Sequence, residues 1–572
     1  MDKYDYNLIL LGGTGARCGE IFVHMCANGY FSADSITILY IDSDTENGNA
    51  KELQKAIKLY DKCRESYRIA HSPIPCFFKP RIDFMTADPV RGSILFSDIA
   101  QQGQEDVEEL RAAQALMHAL YSEEECETQI SDGFFARPNV GAALFSANME
   151  QIMEQFVEHV LISQQDLKRI KIFMLGSLFG GTGASSLPTI SRYLKNRLFG
   201  QSTDRLIGDK LKIGACMVMP YFSFSREKQM EESKITGNGV KIEADKFSTK
   251  TRSALEYYKM VDSVPDHRIF DSLYFLGHDG NDIRGLYDTA GTGQRNLPHI
   301  VEFYAASAAV AFFTDGEGGR FLAAVPEKKI QWCNLYNGKS CFFSFFIMMR
   351  FSIVLKSLIM SELFDYKDAN RLRKRAPDIP WFYDFIRGKG NVHVEDFDAD
   401  KLYDCFKPAS DYCSAYIRWF SELMLRNIDK RYTPHKVLYG DSEVEDGTLD
   451  NDLVDYLDLF PAKLILKQHM NNLITDGQIA DYAEKAAAYD KIYQTNLADI
   501  RRRFTKLAEY DVFSGKKVKV TMNKVWERLT SFGYSSQVNL EDVFKNIAQL
   551  EDKTMAEGTK NLLNAVFVAC MI

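Results

Sequence analysis

Two copies of the tetrapeptide Gly-Gly-Thr-Gly are the clearest chemical signal in the chain. They are Gly12, Gly13, Thr14 and Gly15, and then Gly180, Gly181, Thr182 and Gly183. Each copy follows an apolar, strand-like run and precedes a helix-like run. Glycine at such a turn lets the backbone approach an anion, and the next helix directs its free amides and positive dipole end to the same place. Two such turns on one sheet could hold one polyphosphate from both sides, so the pattern predicts nucleotide binding.

Polar side chains near the turns extend this prediction. The hydroxyls of Thr182 and Ser185 would donate to phosphate, while Asp42 or Asp44, after the second strand-like run, could hold Mg²⁺ through water. The same aspartates would also suit the cap of a turn. Arg137 fits a surface charge as well as it fits a phosphate contact. The chain has no Gly-x-x-x-x-Gly-Lys-Ser/Thr motif, which excludes the usual P-loop NTPases.

The first turn also fits a second class of site. Residues 13–19 have the spacing Gly-x-Gly-x-x-x-Gly, and Asp42 would then bind a ribose hydroxyl of a dinucleotide such as NAD. A Rossmann-type nicotinamide or flavin enzyme therefore stays as an alternative. It is disfavoured because a plain dinucleotide fold does not explain the second glycine turn.

The elements that must position these residues alternate along the first part of the chain. The predicted strands are Leu8–Leu11, Ile36–Ile41, Ile170–Leu175, Ile213–Met219 and Ser272–Leu276. The predicted helices are Glu20–Asn28, Asn148–Ile162, Leu187–Leu198, Thr251–Val261 and Pro298–Phe313. Such alternation predicts an α/β, Rossmann-like domain with a mainly parallel sheet, whose ligands bind beyond the carboxyl ends of the strands. Both glycine turns lie at that edge.

Composition limits the remaining classes. At 572 residues the chain is too long for one ordinary core, and after Val325 helical periodicity dominates. A net charge of −9 argues against nucleic acid as a partner. No signal peptide is seen, so we expect a cytoplasmic protein. The apolar run Cys341–Met360 contains Arg350 and Lys356, which favours a buried helix over a membrane span.

The order of these features resembles the tubulin/FtsZ superfamily. Residues 12–19 have the Gly-x-x-Gly-x-x-x-Gly spacing of the first nucleotide loop in tubulins, and residues 38–44 resemble the second strand with its acidic turn. Residues 133–141 resemble the loop that covers the γ-phosphate. Residues 179–188 are similar to the signature Gly-Gly-Gly-Thr-Gly-Ser/Thr-Gly, and residues 213–221 to the next strand, which ends in Pro-Phe or Pro-Tyr. The resemblance covers roughly residues 5–325.

This resemblance implies GTP or GDP with Mg²⁺ as the ligand. The residues it implies for nucleotide binding are Gly12, Gly13, Thr14, Gly15, Arg17, Asp42, Asp44, Pro138, Asn139, Gly141, Gly180, Gly181, Thr182, Gly183, Ala184, Ser185, Asn296 and His299. Asn296 and His299, at the start of the presumed central helix, would face the base, although His299 also suits a core histidine. Asp42 and Asp44 would hold the metal.

The chain departs from the family pattern at several positions. Phe179 stands where the signature has its first glycine, and Ser185 where it has its last. The loop after the central helix, which in this family completes hydrolysis on the neighbouring subunit, has the sequence Thr-Asp-Gly-Glu-Gly-Gly-Arg and lacks the Asn-x-Asp-x-x-Asp pattern. Asp315 and Glu317 are its acidic residues and the candidate catalytic pair, and they would also suit a solvated turn.

These observations predict a nucleotide-binding domain over residues 1–325 and a mostly helical region over residues 326–572. The predicted function is a tubulin/FtsZ-like GTP-binding protein, a GTPase that assembles head to tail into cytoskeletal filaments. The alternative is a non-polymerising, nucleotide-gated scaffold or sensor that recruits a protein partner through its C-terminal region.

Overall fold

The computed structural model describes most of the first half of the chain and short pieces of the second. The described residues are 4–44, 47–67, 78–90, 95–101, 106–127, 130, 134, 137–165, 169–199, 211–221, 223–224, 247–262, 270–276, 286–287, 298–314, 345, 348, 351–352, 355, 407–416, 419–420 and 423. The chain divides into two compact units. The first is Met1–Phe22, Ala33–Lys55 and Arg81–Leu335, and the second is Val23–Ser32, Ala56–Pro80 and Tyr336–Ile572. The predicted boundary at residue 325 lies outside the described residues and stays a prediction.

A six-stranded parallel sheet forms the centre of the first unit. Its strands are β1 (Tyr4–Leu11), β2 (Ser35–Ile41), β3 (Arg81–Ala87), β4 (Arg169–Ser177), β5 (Leu211–Val218) and β7 (Ser272–Leu276). Their spatial order is β3-β2-β1-β4-β5-β7, and every neighbouring pair is parallel. Two short segments, β6 (Ser223–Phe224) and β8 (Leu286–Tyr287), pair separately. The predicted α/β fold with a parallel sheet is therefore confirmed.

Helices follow most strands, as parallel connections require. They are α1 (Gly12–Ala27), α2 (Gly48–Tyr67), α3 (Val107–Leu120), α4 (Glu123–Cys126), α5 (Pro138–Gln165), α6 (Gly181–Phe199), α7 (Phe247–Asp262) and α8 (Ile300–Thr314), with a 3₁₀ turn at Phe96–Gln101. The predicted helix at Asn148–Ile162 is the later part of α5, which begins ten residues earlier at Pro138. Proline suits that first position because its missing amide would be unpaired there in any case.

Both faces of the sheet are covered, which explains why its central strands are apolar at successive positions. On one face Ile9 and Ile172 belong to the core formed with α5 and α6. On the other face α8 packs on β4 and β5, where the rings of Phe173 and Phe312 lie 5.2 Å apart. Helix α8 is buried on all sides, so its sequence is apolar almost throughout and shows no polar stripe.

The strand order places the functional edge of the sheet. The chain passes from β1 outward to β2 and β3, and then returns to lie beside β1 as β4. The connections on the two sides of the β1–β4 pair therefore run in opposite directions, and sheets of this kind bind ligands beyond the carboxyl ends of the strands at such a reversal. Both glycine turns begin at those ends.

The second unit has an aromatic centre of its own. His24, near the end of α1, has its Nδ1 2.7 Å from the hydroxyl of Tyr412 and its ring 4.3 Å from that of Trp419. Phe78 packs edge-on against Tyr412, at 4.8 Å, and stacks on Tyr60. The described residues beyond 335 are helical, among them residues 407–416.

Within the described residues, none of the helices combines the length and apolar character needed to cross a membrane. The run Cys341–Met360 lies mostly outside those residues. Phe345, Met348, Phe351 and Leu355, which belong to it and are described, are buried.

Candidate nucleotide site

The two glycine turns meet beyond the ends of neighbouring strands. Strands β1 and β4 run side by side with Leu10 opposite Leu175, α1 begins at Gly12, and α6 begins at Gly181. A Cβ placed on Gly12 would lie 3.3 Å from the Cβ of Thr182, so the turns are in van der Waals contact. Since the first four amides of a helix have no partner within it, two sets of free amides point to one place.

Each turn has one glycine that is tightly packed by the fold and one that is open to a ligand. Gly12 has a φ of +68°, which disfavours any side chain. A Cβ on Gly183 would lie 2.5 Å from the carbonyl oxygen of Ser177. In contrast, Gly13 in the first turn and Gly180 in the second are partly exposed. A bound anion would therefore reach the backbone at these two residues.

Asp42 lies at the end of β2 and joins this strand to the second turn. Its Oδ1 accepts from the Ser43 amide at 2.9 Å and from the Thr182 hydroxyl at 3.2 Å. Its Oδ2 accepts from the Tyr40 hydroxyl at 2.8 Å and from the Asn47 amide group at 3.1 Å. Burial raises the pKa of Asp42 to about 6, although hydrogen bonds from Tyr40 and Thr182 act against this rise. With both oxygens occupied, Asp42 orients Thr182, and its predicted role as a metal ligand stays a prediction.

Asp44, the second predicted metal ligand, is also buried, and its carbonyl accepts a hydrogen bond of 3.3 Å from the Asn47 amide. In the part of the chain that the structure describes, no group of three or more His, Cys, Asp and Glu side chains could hold a metal ion. A Mg²⁺ ion at Asp42 and Asp44 would therefore need phosphate oxygens and water to complete its coordination.

The two predicted hydroxyl donors point their protons at protein acceptors. Thr182 donates to Asp42, and Ser185 donates to the carbonyl of Gly181 at 2.7 Å. Ala184, beside Ser185 in the first turn of α6, is buried. The groups left to bind an anion in this arrangement are the backbone amides of the two turns.

A third segment, which includes Phe134 and residues 137–141, lies against the start of α6. A Cβ on Gly181 would collide with the Cβ of Phe134, and a Cβ on Gly141 would collide with the Oγ of Ser185. This segment includes Pro138, the first residue of α5. It belongs to the loop predicted to cover the phosphates, and the structure brings it into contact with the second turn.

The side chain of Asn139 is engaged with Glu125 of α4. Its Nδ2 donates to Glu125 Oε1 at 3.0 Å, while the Ser122 amide donates to the other carboxylate oxygen at 3.0 Å. Partial burial would raise the pKa of Glu125, but these hydrogen bonds and the nearby charge of Arg137 outweigh it, and the pKa is lowered. Glu125 is thus a charged anchor for the third segment.

Arg17 is buried in an ion pair with Glu302 of α8. Its Nη2 also donates to the Thr14 hydroxyl at 3.2 Å and to the Tyr221 hydroxyl at 2.8 Å, and Tyr221 in turn donates to Glu302. A buried charge pair of this kind is held by its additional hydrogen bonds. The predicted ligand Arg17 therefore links the first glycine turn to the start of the central helix. Its partners Glu302 and Tyr221 were not among the site residues predicted from the sequence.

His299 immediately precedes α8 and belongs to the same network. Its amide donates to Glu302 Oε2 at 2.8 Å, its Nδ1 accepts from the Val301 amide at 3.1 Å, and its ring lies 5.0 Å from Tyr221. The side chain is buried. Its contact with a base stays a prediction. Asn296 and the catalytic candidates Asp315 and Glu317 lie outside the described residues.

Comparison with known proteins identifies the family of this domain. Residues 8–288 match a family described as tubulin-like. No curated protein and no solved structure shows a significant match to the chain. Residues 8–288 belong to the tubulin/FtsZ-like superfamily. Its members generally bind GTP with Mg²⁺ and self-assemble.

The tubulin-like domain accommodates Phe179 in place of a signature glycine through aromatic packing. The Phe179 ring lies 4.8 Å from Phe247, the first residue of α7, and 6.2 Å from Tyr221. Phe179 is buried, so its ring faces the protein interior. The substitution extends the core beneath the turn.

Pro188 of this tubulin-like domain explains a contact made by α7. Proline has no amide hydrogen, so the carbonyl four residues earlier, that of Ala184, loses its helical partner. The hydroxyl of Tyr258, from α7, donates to this carbonyl. The proline of the second motif thus leaves an acceptor that a neighbouring helix satisfies.

The residues at the three segments fit a polyphosphate. Ser43 Oγ, next to Asp42 in the chain, and Arg137 Nη1, next to Pro138, are among the buried polar atoms that lack a hydrogen-bond partner within the described residues. Buried polar groups are normally paired, so unpaired ones at a site call for an explanation. Two helix starts and an unsatisfied guanidinium nitrogen together favour an anionic ligand over a neutral one.

Proposed function

We propose that this tubulin-like protein binds GTP or GDP with Mg²⁺ between its two glycine turns. The observation that carries the proposal is the contact between Gly12 and Thr182, which brings the starts of α1 and α6 together. Backbone amides at Gly13 and Gly180 would bind the phosphates without a lysine. Asp42 would hold Thr182 in place, and Asp42 and Asp44 are the residues that would hold Mg²⁺ through water.

We further propose that hydrolysis is coupled to head-to-tail assembly. Hydrolysis needs a carboxylate that positions the attacking water. Asp315 and Glu317, which follow α8 in the sequence, would supply it to the nucleotide of the next subunit. A heterologous contact of this kind does not close and produces a filament. The protein's own residues would thus bind the phosphates on one subunit and orient water on another.

The second candidate is a nucleotide-gated scaffold that does not polymerise. It is favoured by the sequence of the post-helix loop, which lacks the acidic pattern of the family. The dinucleotide alternative is less favoured, because a plain dinucleotide fold does not explain the second glycine turn, which lies against the first at Gly12 and Thr182.

Calorimetry on the full chain tests the ligand. With Mg²⁺ present, we expect binding of GTP and GDP and no binding of NAD; binding of NAD alone would overturn the proposal. Titration with ATP would establish whether the base is guanine. Light scattering with GTP then separates the two candidates, because a filament-forming protein scatters above a critical concentration and a scaffold does not.

A further inference from the structure

Strand β3 forms one edge of the six-stranded sheet. It pairs with β2 on one side, and no strand among the described residues pairs with it on the other. The amide of Arg81 donates to the carbonyl of Asp34, just before β2, at 2.9 Å, so Arg81 directs its main-chain groups inward. Successive residues of a strand alternate in this respect. The N–H and C=O groups of Ile82, Phe84 and Thr86 therefore point to the outer edge, where an added strand would meet them.

The second half of this edge lacks the features that usually protect one. Edge strands are commonly protected by charged side chains or by proline. Arg81 and Asp83 carry charges in the first half of β3, but they pair with each other at 2.8 Å. Residues 84–87 include neither a charge nor a proline. Phe84 and Met85 are half-buried there, on opposite faces of the sheet. An added strand would cover both side chains.

A cavity of about 80 Å³ lies between β3 and α5, beside the same stretch. Pockets that enclose a whole small molecule measure roughly 300–1,000 Å³, so this cavity fits a single side chain. Its buried lining is apolar and includes Leu39, Ile152 and Phe156. Met85 also lines it and stands opposite Leu39 in the β2–β3 ladder. The residue of an added strand opposite Met85 would therefore direct its side chain to the face that holds the cavity.

The solvent side of the cavity is acidic. Gln151, Glu154 and Gln155 of α5 are exposed there, and Asp88, after β3, is half-buried. None of the described residues that line the cavity is basic. Within the described part of the chain, neither Glu154 nor Asp88 forms an ion pair. Carboxylates above an apolar floor suit lysine or arginine, whose alkyl stem can be buried while the charged end stays at the surface.

We propose that the outer edge of β3 at residues 84–87 is a docking site for an extended, basic segment of a partner protein. The segment adds a strand to the sheet, and its main-chain hydrogen bonds supply affinity. A lysine or arginine of the segment enters the cavity and supplies specificity, while the side chains on either side of it in the segment are apolar and cover Phe84 on the other face. The inference is independent of the proposed function, because β3 contributes no residue to the candidate nucleotide site.

Fluorescence anisotropy with the full-length protein tests the chemistry of the segment. The probe is the labelled peptide Thr-Val-Lys-Val-Lys-Val-Thr, and the control peptide has glutamate in place of both lysines. We expect saturable binding of the lysine peptide. The glutamate peptide should bind at least roughly tenfold more weakly, because it would bring like charges to Glu154 and Asp88. Equal binding of the two peptides, or binding of neither, would overturn the inference.

A matched pair of variants tests strand addition. Thr86 is exposed, and its amide points outward, so Thr86→Pro removes a donor from the free edge and leaves the ladder with β2 intact. We expect this variant to lose peptide binding. Thr86→Val keeps the amide and should bind the peptide as the wild type does. Wild-type affinity in a folded Thr86→Pro protein, as checked by circular dichroism, would show that the peptide does not pair with β3.

A second pair tests the cavity and does not depend on the folding of the proline variant. Glu154→Gln should weaken binding of the lysine peptide roughly two- to fivefold, the range expected for the loss of an exposed charge pair. Glu158→Gln changes the exposed glutamate one turn further along α5, which does not line the cavity, and should leave the affinity unchanged. Equal effects of the two substitutions would show a general attraction to an acidic surface, and the inference would be wrong.

Discussion

Thr182 donates a hydrogen bond of 3.2 Å to Asp42 across 140 residues of sequence. The bond spans β1, because Asp42 follows β2 and Thr182 opens the helix after β4. It ties the acidic turn to the second glycine turn. The carboxyl group of Asp42 is buried there, and the electrostatic cost of burying its charge makes the stability of the protein depend on pH.

The stability of the protein should fall as pH rises from about 4 to about 6. Burial raises the pKa of Asp42 from 3.8 to about 6, so in this range the folded protein keeps a proton that the unfolded chain has lost. The shift of about two units corresponds to a loss of up to about 3 kcal/mol. Asp42→Asn should remove this contribution.

Denaturant unfolding at several pH values measures this contribution of Asp42. The quantity to compare between wild type and Asp42→Asn is the slope of the unfolding free energy plotted against pH. Asp83→Asn, at an exposed carboxylate of β3, is the control and should keep the wild-type slope. Parallel curves for wild type and Asp42→Asn would show that Asp42 is not the group concerned.

Alanine at two glycines of the second turn should affect different properties, namely stability at Gly183 and nucleotide affinity at Gly180. In Gly183→Ala the new Cβ would lie 2.5 Å from the carbonyl oxygen and 2.6 Å from the amide nitrogen of Ser177, and backbone cannot easily move. We expect a loss of about 2 kcal/mol of stability. In Gly180→Ala the nearest atom is the Ser177 Oγ, at 2.6 Å, which can rotate away.

Gly180→Ala should therefore stay folded and bind GTP more weakly, since the methyl group lies where phosphate approaches the backbone. Thermal unfolding and calorimetry on both variants check this contrast. Normal GTP affinity in a folded Gly180→Ala protein would show that the anion does not approach at this residue.

The buried pair of Arg17 and Glu302 should behave as one unit. Removing either partner, in Arg17→Met or Glu302→Gln, leaves the other without its counterpart, and we expect a loss of about 3–5 kcal/mol each. The double variant should cost much less than the sum.

A double-mutant cycle by denaturant unfolding measures this coupling. Arg252→Met and Glu256→Gln form the control cycle, because that pair is exposed on α7 and its coupling should be below about 1 kcal/mol. Additive effects at Arg17 and Glu302 would contradict the network.

Lys171 should stabilise the C-terminal end of α8. Its Nζ is buried and donates to the carbonyls of Phe312, at 3.2 Å, and Phe313, at 2.8 Å, where the helix dipole is negative. Lys171→Met should cost about 1.5–3 kcal/mol. Lys212→Met changes the exposed lysine paired with Lys171 on β5 and should cost little. Equal thermal stability of the two variants would show that Lys171 does not stabilise the end of α8.

Asp315→Ala/Glu317→Ala should abolish GTP hydrolysis and leave GTP affinity intact, if these residues supply the carboxylate in trans. Any filaments should then persist longer, because the nucleotide that favours assembly is not consumed. Phosphate release measured over a range of protein concentrations, with light scattering in parallel, checks both points. Wild-type turnover in the double variant, or specific activity independent of concentration, would favour the scaffold.

Much of the fold was predictable because its signals are local. The glycine turns and the apolar runs of β1, β2, β4 and β5 each depend on neighbours in sequence. Strand β3 was missed because Arg81 and Asp83 interrupt its apolar pattern; it lies at the sheet edge, where these two side chains pair with each other in solvent. The start of α5 was missed because the glycine and proline around its first turn are typical of a loop.

The sequence by itself determined that two glycine turns, which it predicts to bind phosphate, follow two strands of a parallel sheet. Only the tertiary structure decided which side chains complete the site, because strand order brings together residues that are far apart in the chain. Arg17 matched a nucleotide loop by spacing, yet 285 residues separate it from Glu302, with which it pairs. The loss of solvation on burial makes such charges require a partner, and no local pattern records which partner the fold supplies.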